Sequence, residues 1–172
     1  MDQDMIKNLR REAAEMLEKG NVNEAIPIIR QMAHWSDLDS QLLLVDMFAH
    51  GAYGVIPNAK AAFEYLQVAA LNQDPESQYE LACTFRDGKG TDKNLEKAFY
   101  FMNKAANNGV KAAYDDLSTL YLMGWGTNRD LEQAEIWNKK ALVADPDNDN
   151  AKRHQSMIQN LKAKEEKARQ VQ

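Results

Sequence analysis

Residues 77–98 read SQYELACTFRDGKGTDKNLEKA. In the first half, the apolar residues are spaced to share one face of an α-helix: Tyr79, Leu81, Ala82 and Phe85. Gly88 and Gly90 then interrupt the pattern, and Asn94 stands where a helix N-cap is expected. The segment therefore predicts two short helices joined by a tight turn, with the first helix over 75–87.

The same arrangement recurs every 36 residues. The turn glycine, a small residue of the second helix and a large aromatic residue each follow this step: Gly54, Gly90 and Gly126; Ala62, Ala98 and Ala134; Tyr65, Phe101 and Trp137. A fixed period of this length is typical of helical repeats, in which each unit buries its apolar face by stacking on its neighbours. We therefore predict an all-α solenoid of about four helix-turn-helix repeats, closed by a C-terminal capping helix, with the aromatic residues in its core.

The periodicity predicts a single repeat domain over residues 1–172. An irregular N-terminal unit over 1–38 is followed by regular units at 39–74, 75–110 and 111–146, and then by a capping helix with a basic tail at 147–172. In the first unit, residues 21–24 resemble a capping box, and Pro27 predicts either a helix start near Asn23 or a bend. In the last helix, the apolar stripe of Ala151, His154, Ile158 and Leu161 fades beyond Lys162, so we expect the tail to fray or project.

The motifs of the third unit resemble the Sel-1-like repeat, a relative of the tetratricopeptide repeat. The resemblance rests on the SQYELA run, on Phe85, on the paired glycines Gly88 and Gly90, and on the run from Asn94 to Ala98. It extends over about residues 40–145, whereas the first unit is more similar to the tetratricopeptide version. The resemblance implies a right-handed superhelix whose first helices line a concave surface, and a role in protein–protein assembly.

Charge and composition disfavour several functional classes. The net charge is −5, but residues 151–172 carry a net charge of +4, which leaves the body at −9. An acidic body argues against nucleic acid as the main ligand. We see no signal-peptide pattern and no apolar run long enough to span a membrane, so we expect a cytoplasmic protein. With Cys83 as the only cysteine, an intramolecular disulfide is excluded.

No pattern of catalytic or metal-binding residues emerges. His34, His50 and His154 fall in different units, without metal-ligand spacing, and no nucleophile motif is present. We therefore expect no metal, no cofactor and no enzymatic activity. Some Sel-1-like proteins hydrolyse β-lactams weakly, but those carry cysteine pairs in each repeat, which this chain lacks.

The candidate binding residues are first-helix positions that repeat packing does not require. By the resemblance, these positions face the concave groove, and they differ between units. The candidates are Asp46, His50, Tyr79, Arg86, Asp115 and Leu122, together with Trp125 in the loop of the fourth unit. Aromatic and arginine anchors among polar residues suit a peptide or a partner helix.

Two functions from different classes follow. The first is a non-catalytic adaptor or regulator in bacteria that binds a peptide or protein on its concave face or loop edge, as a monomer or weak homodimer. The second is an immunity- or inhibitor-type protein that occludes a toxin or an enzyme, for which the acidic body would favour a basic target.

Overall fold

The computed structural model describes residues 3–170, and this part of the chain is helical with no strands. Its α-helices follow one another in chain order: α1 (Gln3–Glu18), α2 (Val22–His34), α3 (Leu38–His50), α4 (Ala59–Leu71), α5 (Pro75–Asp87), α6 (Leu95–Asn107), α7 (Ala112–Met123), α8 (Leu131–Ala144) and α9 (Asp149–Gln170). A short 3₁₀ turn at Ala52–Gly54 separates α3 from α4. Each helix packs on the next, which confirms the predicted helical repeat solenoid. None of these helices combines the length and the apolar character needed to cross a bilayer.

Side-chain caps explain where the helices begin. The amide oxygen of Asn94 accepts a hydrogen bond from the Lys97 backbone N–H at 2.9 Å, as predicted for the start of α6. Asn58 caps α4 in the same way, and Asp130 accepts from two backbone N–H groups at the start of α8. Such caps satisfy donors that the first helical turn leaves free.

The first unit departs from prediction at its second helix. Asn21 makes no side-chain capping bond, so the predicted capping box is not formed. The helix α2 nevertheless begins at Val22 and includes Pro27 in its second turn. Its buried residues Ala25, Ile29 and Met32 lie on one face, so the packing of that face on α1 and α3 stabilises the helix despite the missing proline N–H donor.

The predicted repeat positions form the core. Ala98, Ala134, Phe101 and Trp137 are all buried, whereas Tyr65 is half-buried. The aromatic residues of the second helices meet aromatic side chains of the first helices, since Phe48 stacks on Tyr65 at 5.9 Å and Phe85 on Phe101 at 6.0 Å between ring centroids. The aromatic ladder is therefore packing, as the sequence predicted.

Buried amide side chains tie adjacent units together in an equivalent way. Gln41 of α3 donates to the Ala33 carbonyl and accepts from Asn72. In the next unit, Gln78 of α5 donates to the Ala70 carbonyl and accepts from Asn108. The repeated bonds show that α3 and α5 occupy equivalent places, with residue 41 corresponding to residue 78.

Two of the three turn glycines lie against the preceding unit. Gly126 has a φ of +73°, and a Cβ atom added there would overlap the Leu95 carbonyl at the start of α6. A Cβ at Gly90 would overlap the Ala59 carbonyl at the start of α4 in the same manner. A Cβ at Gly54, by contrast, would meet nothing within 4 Å. The repeated glycine thus permits a close approach between units at two of its three positions.

The last helix covers the end of the stack. Ile158 of α9 is buried with Leu122, Leu131 and Ala134, and Asn138 donates a hydrogen bond of 2.9 Å to the Ala151 carbonyl. Most residues beyond Lys162 are exposed, but the chain does not fray there, because α9 continues to Gln170. Its distal half lies against α8 through ion pairs of Lys162 with Glu132 and Glu135. Arg129, which precedes α8, pairs with Glu165 at 2.9 Å.

We predict that enlarging the small residue at the helix crossing destabilises the protein. Ala98 is only 1% exposed, so Ala98→Leu should overpack the contact and cost about 1–3 kcal/mol. Thermal unfolding followed by circular dichroism measures this cost. Ala163→Leu, at an exposed position of α9, is the matched control and should unfold like the wild type. If both variants unfold at the wild-type temperature, the assignment of Ala98 to a close contact is wrong.

Candidate functional site

An opening lies between α3 and α5, with α4 as its floor; we call it the α3/α5 groove. It encloses a cavity of about 610 Å³. Val45, Phe48, Phe63 and Leu66 are among the apolar side chains that line it. A volume of this size is in the range of known ligand pockets, roughly 300–1,000 Å³.

A polar rim surrounds this apolar floor. His50, Glu80, Asp87 and Lys89 all line the cavity and are exposed. Of the predicted binding residues, His50 and Tyr79 line it as well. Asp46 lies one turn before His50 on α3 and forms a 3.0 Å contact with its Nδ1 atom, but does not itself line the cavity. Part of the predicted set is therefore brought together at one groove.

In the next unit, polar side chains bridge the first helices α5 and α7. The Tyr79 hydroxyl donates to one carboxylate oxygen of Asp116 at 3.1 Å, and Arg86 donates to the other at 3.2 Å. Arg86 also pairs with Asp87 at 2.9 Å.

Burial raises the pKa of the Asp116 carboxyl, while Arg86 opposes that rise. Burial, reinforced by Asp116, likewise raises the pKa of Tyr79. Two predicted residues are thus engaged in an internal network.

Cys83 lies on the cavity wall between Tyr79 and the polar rim. Its thiol is free and partly accessible. Burial raises its pKa, and the nearby Arg86 opposes the rise. A thiol held in its neutral form is a weak nucleophile, so its chemistry here is that of a small lining residue. Within residues 3–170, no group of three or more His, Cys, Asp or Glu side chains could hold a metal ion.

The helix α9 covers the remaining candidates on α7. Asp115 is half-buried and contacts His154 of α9 at 3.0 Å. Leu122 is 2% exposed and packs with Leu131 and Ile158. The expectation that Leu122 faces a groove is therefore wrong, because the capping helix buries it.

Trp125 lies in the loop between α7 and α8 and is 45% exposed. It does not line the α3/α5 groove. Tyr53, in the corresponding loop of the second unit, is also exposed and has a positive φ of 56°. Tyr53 borders a smaller cavity of about 290 Å³ between α1, α2 and α3. The loop edge therefore presents aromatic side chains apart from the larger groove.

Sequence reasoning missed two residues that line the groove, Ala49 and Glu80. It also missed Asp116, the acceptor in the network of the next unit. A position-by-position comparison of the units would have found them, because residue 49 corresponds to residue 86 and residue 80 to residue 116. Ala49 therefore stands where the next unit has Arg86.

The family model for the Sel1 repeat matches residues 39–74, 75–110 and 111–142. The chain belongs to the Sel1 repeat family. Proteins built from Sel1 repeats are generally protein-interaction modules. No curated protein matches the chain.

Solved structures of Sel1 repeat proteins are similar to this one. A Sel1 repeat protein from Oxalobacter formigenes is 27% identical, with a TM-score of 0.63 over 74% of this chain and 94% of that chain. The protective antigen c5321 of uropathogenic Escherichia coli is 24% identical, with a TM-score of 0.57; the match covers 85% of this chain but only 40% of that longer chain. Cysteine-rich protein B of Helicobacter pylori is 21% identical, with a TM-score of 0.53 over 76% of this chain and 92% of that chain. The last two similarities concern the fold alone.

Proposed function

We propose that this Sel1 repeat protein is a non-catalytic adaptor that binds a peptide segment of a partner protein in the α3/α5 groove. The observation that carries the proposal is the cavity of about 610 Å³ between α3 and α5, with its apolar floor and polar rim. An apolar pocket with a few polar groups at its edge is the usual form of a ligand site.

The groove is suited to a peptide for two reasons. Its walls are helices fixed by the Gln41 and Gln78 hydrogen bonds, so little ordering of the protein is needed when a ligand binds. Phe63 lies on its floor and contacts the buried Phe85 beneath it edge to face, at 5.5 Å between ring centroids. An apolar side chain of a peptide would be buried against such a floor, while its backbone and neighbouring side chains meet the rim.

We propose that the protein acts in the bacterial cytoplasm, as a monomer or weak homodimer, and that its partner is a protein and not a nucleic acid. The body outside residues 151–172 has a net charge of −9, which supports a protein partner with basic character.

We predict that Ala49→Arg blocks the groove. Ala49 is exposed and lines the cavity, so a long side chain there would occupy it without disturbing the core. Arginine has nearly the helix propensity of alanine and suits the last turn of a helix, so stability should be unchanged. Random short peptides displayed on phage are selected against the immobilised wild type, and the selected peptides are then measured by fluorescence anisotropy. Binding should weaken by about tenfold or more in the variant, a loss of about 1.4 kcal/mol.

Ala163→Arg is the matched control, since it adds the same side chain at an exposed position of α9 outside the groove. The control should bind every selected peptide like the wild type. Selected peptides that bind Ala49→Arg and wild type equally would contradict the proposed function, and so would a selection that yields no peptide. In the first case the Trp125 loop edge becomes the better surface to test.

A further inference from the structure

The α3/α5 groove and the equivalent place between α5 and α7 differ in their hydrogen-bonding side chains. Residues 42, 49 and 80 correspond to residues 79, 86 and 116, on the register that the Gln41 and Gln78 bonds establish. Between α5 and α7, Tyr79 and Arg86 both donate hydrogen bonds to Asp116. Between α3 and α5, the positions of these two donors are occupied by Leu42 and Ala49. Neither side chain can donate a hydrogen bond, so the acidic residue that corresponds to Asp116 lacks the partners that Asp116 has.

That acidic residue is Glu80. It lines the cavity, and within residues 3–170 its carboxylate has no hydrogen bond or ion pair of the kind that Arg86 gives Asp116. Although Glu80 as a residue is exposed, burial of its carboxyl raises its pKa, and His50 nearby opposes that rise. His50 is itself held by Asp46 on the same helix. A carboxylate beside an apolar cavity and without a cationic partner favours the binding of a cation.

We infer that the α3/α5 groove recognises a peptide with an arginine or lysine next to an apolar side chain. The basic group pairs with Glu80, in the place that Arg86 takes beside Asp116 in the following unit, and the apolar side chain fills the cavity above Phe63. The inference rests on the proposed function and adds the chemistry of its partner. The acidic character of the body supports the same choice.

The geometry of the next unit indicates which basic residue fits better. Arg86 donates to Asp116 and at the same time to Asp87. In the α3/α5 groove the residue that corresponds to Asp87 is His50, so the acceptor there is the Glu80 carboxylate. A planar guanidinium can donate two parallel hydrogen bonds to one carboxylate, which suits it to this place better than an ammonium group. We therefore expect selected peptides to be enriched in arginine above lysine.

The inference is tested on peptides selected against the wild type and against Glu80→Gln, which keeps the side-chain volume and removes the charge. Peptides selected on the wild type should carry a basic residue beside an aromatic or aliphatic one. Peptides selected on Glu80→Gln should keep the apolar residue and lose the basic enrichment. Glu64→Gln, at an exposed position of α4 outside the cavity, is the control and should give the wild-type pattern.

A double-mutant cycle then measures the pairing directly. One selected peptide and its derivative with the basic residue replaced by alanine are titrated against the wild type and Glu80→Gln. Because Glu80 is partly solvated, each single change should weaken binding by about three- to tenfold. The two changes together should weaken it little further, since they remove the same interaction.

These experiments distinguish a failure of the basic-peptide inference from a failure of the proposed function. If the peptides depend on Ala49 but carry no basic enrichment, or if the two changes are additive, the basic-peptide inference is overturned and the groove itself stands. If the peptides bind Ala49→Arg like the wild type, or if none is selected, the proposed function fails and the inference with it.

Discussion

Gly126→Ala is expected to lower the free energy of unfolding by about 2–5 kcal/mol. A Cβ atom at this position would overlap the Leu95 carbonyl, and the residue has a φ of +73°. The left-handed conformation costs an alanine about 1–2 kcal/mol, and the overlap adds an overpacking cost of about 1–3 kcal/mol. Thermal unfolding should show a fall in the melting temperature of roughly 5–15 °C.

Gly54→Ala separates the two contributions. Gly54 has nearly the same φ, +75°, but a Cβ atom there would meet nothing within 4 Å. The substitution should therefore cost only the conformational part, about 1–2 kcal/mol. Equal losses of stability in the two variants would show that the contact between the turn and the preceding unit contributes nothing.

Ending the chain after Asn148 is expected to destabilise the protein by about 4 kcal/mol or more. The deletion removes Ile158 and exposes Leu122 and Leu131, three buried side chains of one cluster, and burial of each contributes about 1.5–3 kcal/mol. The exposed end of the stack should also self-associate, as uncapped solenoids do. Circular dichroism and light scattering measure both effects.

Ending the chain after Lys162 is the matched comparison. This truncation keeps Ile158 and Leu161 and removes Glu165, whose ion pair with Arg129 is largely exposed. Exposed ion pairs contribute about 0–1 kcal/mol, so the longer fragment should remain close to wild-type stability and monodisperse. If the shorter fragment behaves in the same way, α9 does not act as a cap.

The repeat architecture could be predicted because one set of residues serves local structure and packing together. Asn94 caps a helix, Ala98 permits a helix crossing, and Phe101 fills the core, so their common period shows the fold directly. The length of α9 could not be predicted in this way. Lys162 and Glu165 of its second half form ion pairs with Glu132 of α8 and with Arg129 in the loop before α8. Charged side chains of this kind leave no apolar stripe in the sequence.

The candidate site could be predicted only in part. Of the candidate binding residues predicted from the sequence, His50 and Tyr79 line the α3/α5 groove. The burial of Leu122 could not be predicted, because it depends on where α9 lies. The repeat pattern carries no information about the position of a helix outside the period. Ala49 lines the groove and leaves it open because its side chain is small. A sequence search for large anchoring side chains does not detect such small residues.

Cys83 provides the most direct test of binding in the α3/α5 groove, because it lines the cavity and is the only cysteine of the chain. The rate of its alkylation by iodoacetamide is followed by intact mass spectrometry at mildly alkaline pH, with and without a saturating selected peptide. We predict that the peptide slows alkylation of Cys83 in the wild type and in Ala163→Arg. A peptide that binds at saturation and leaves the alkylation rate of Cys83 unchanged would contradict the account.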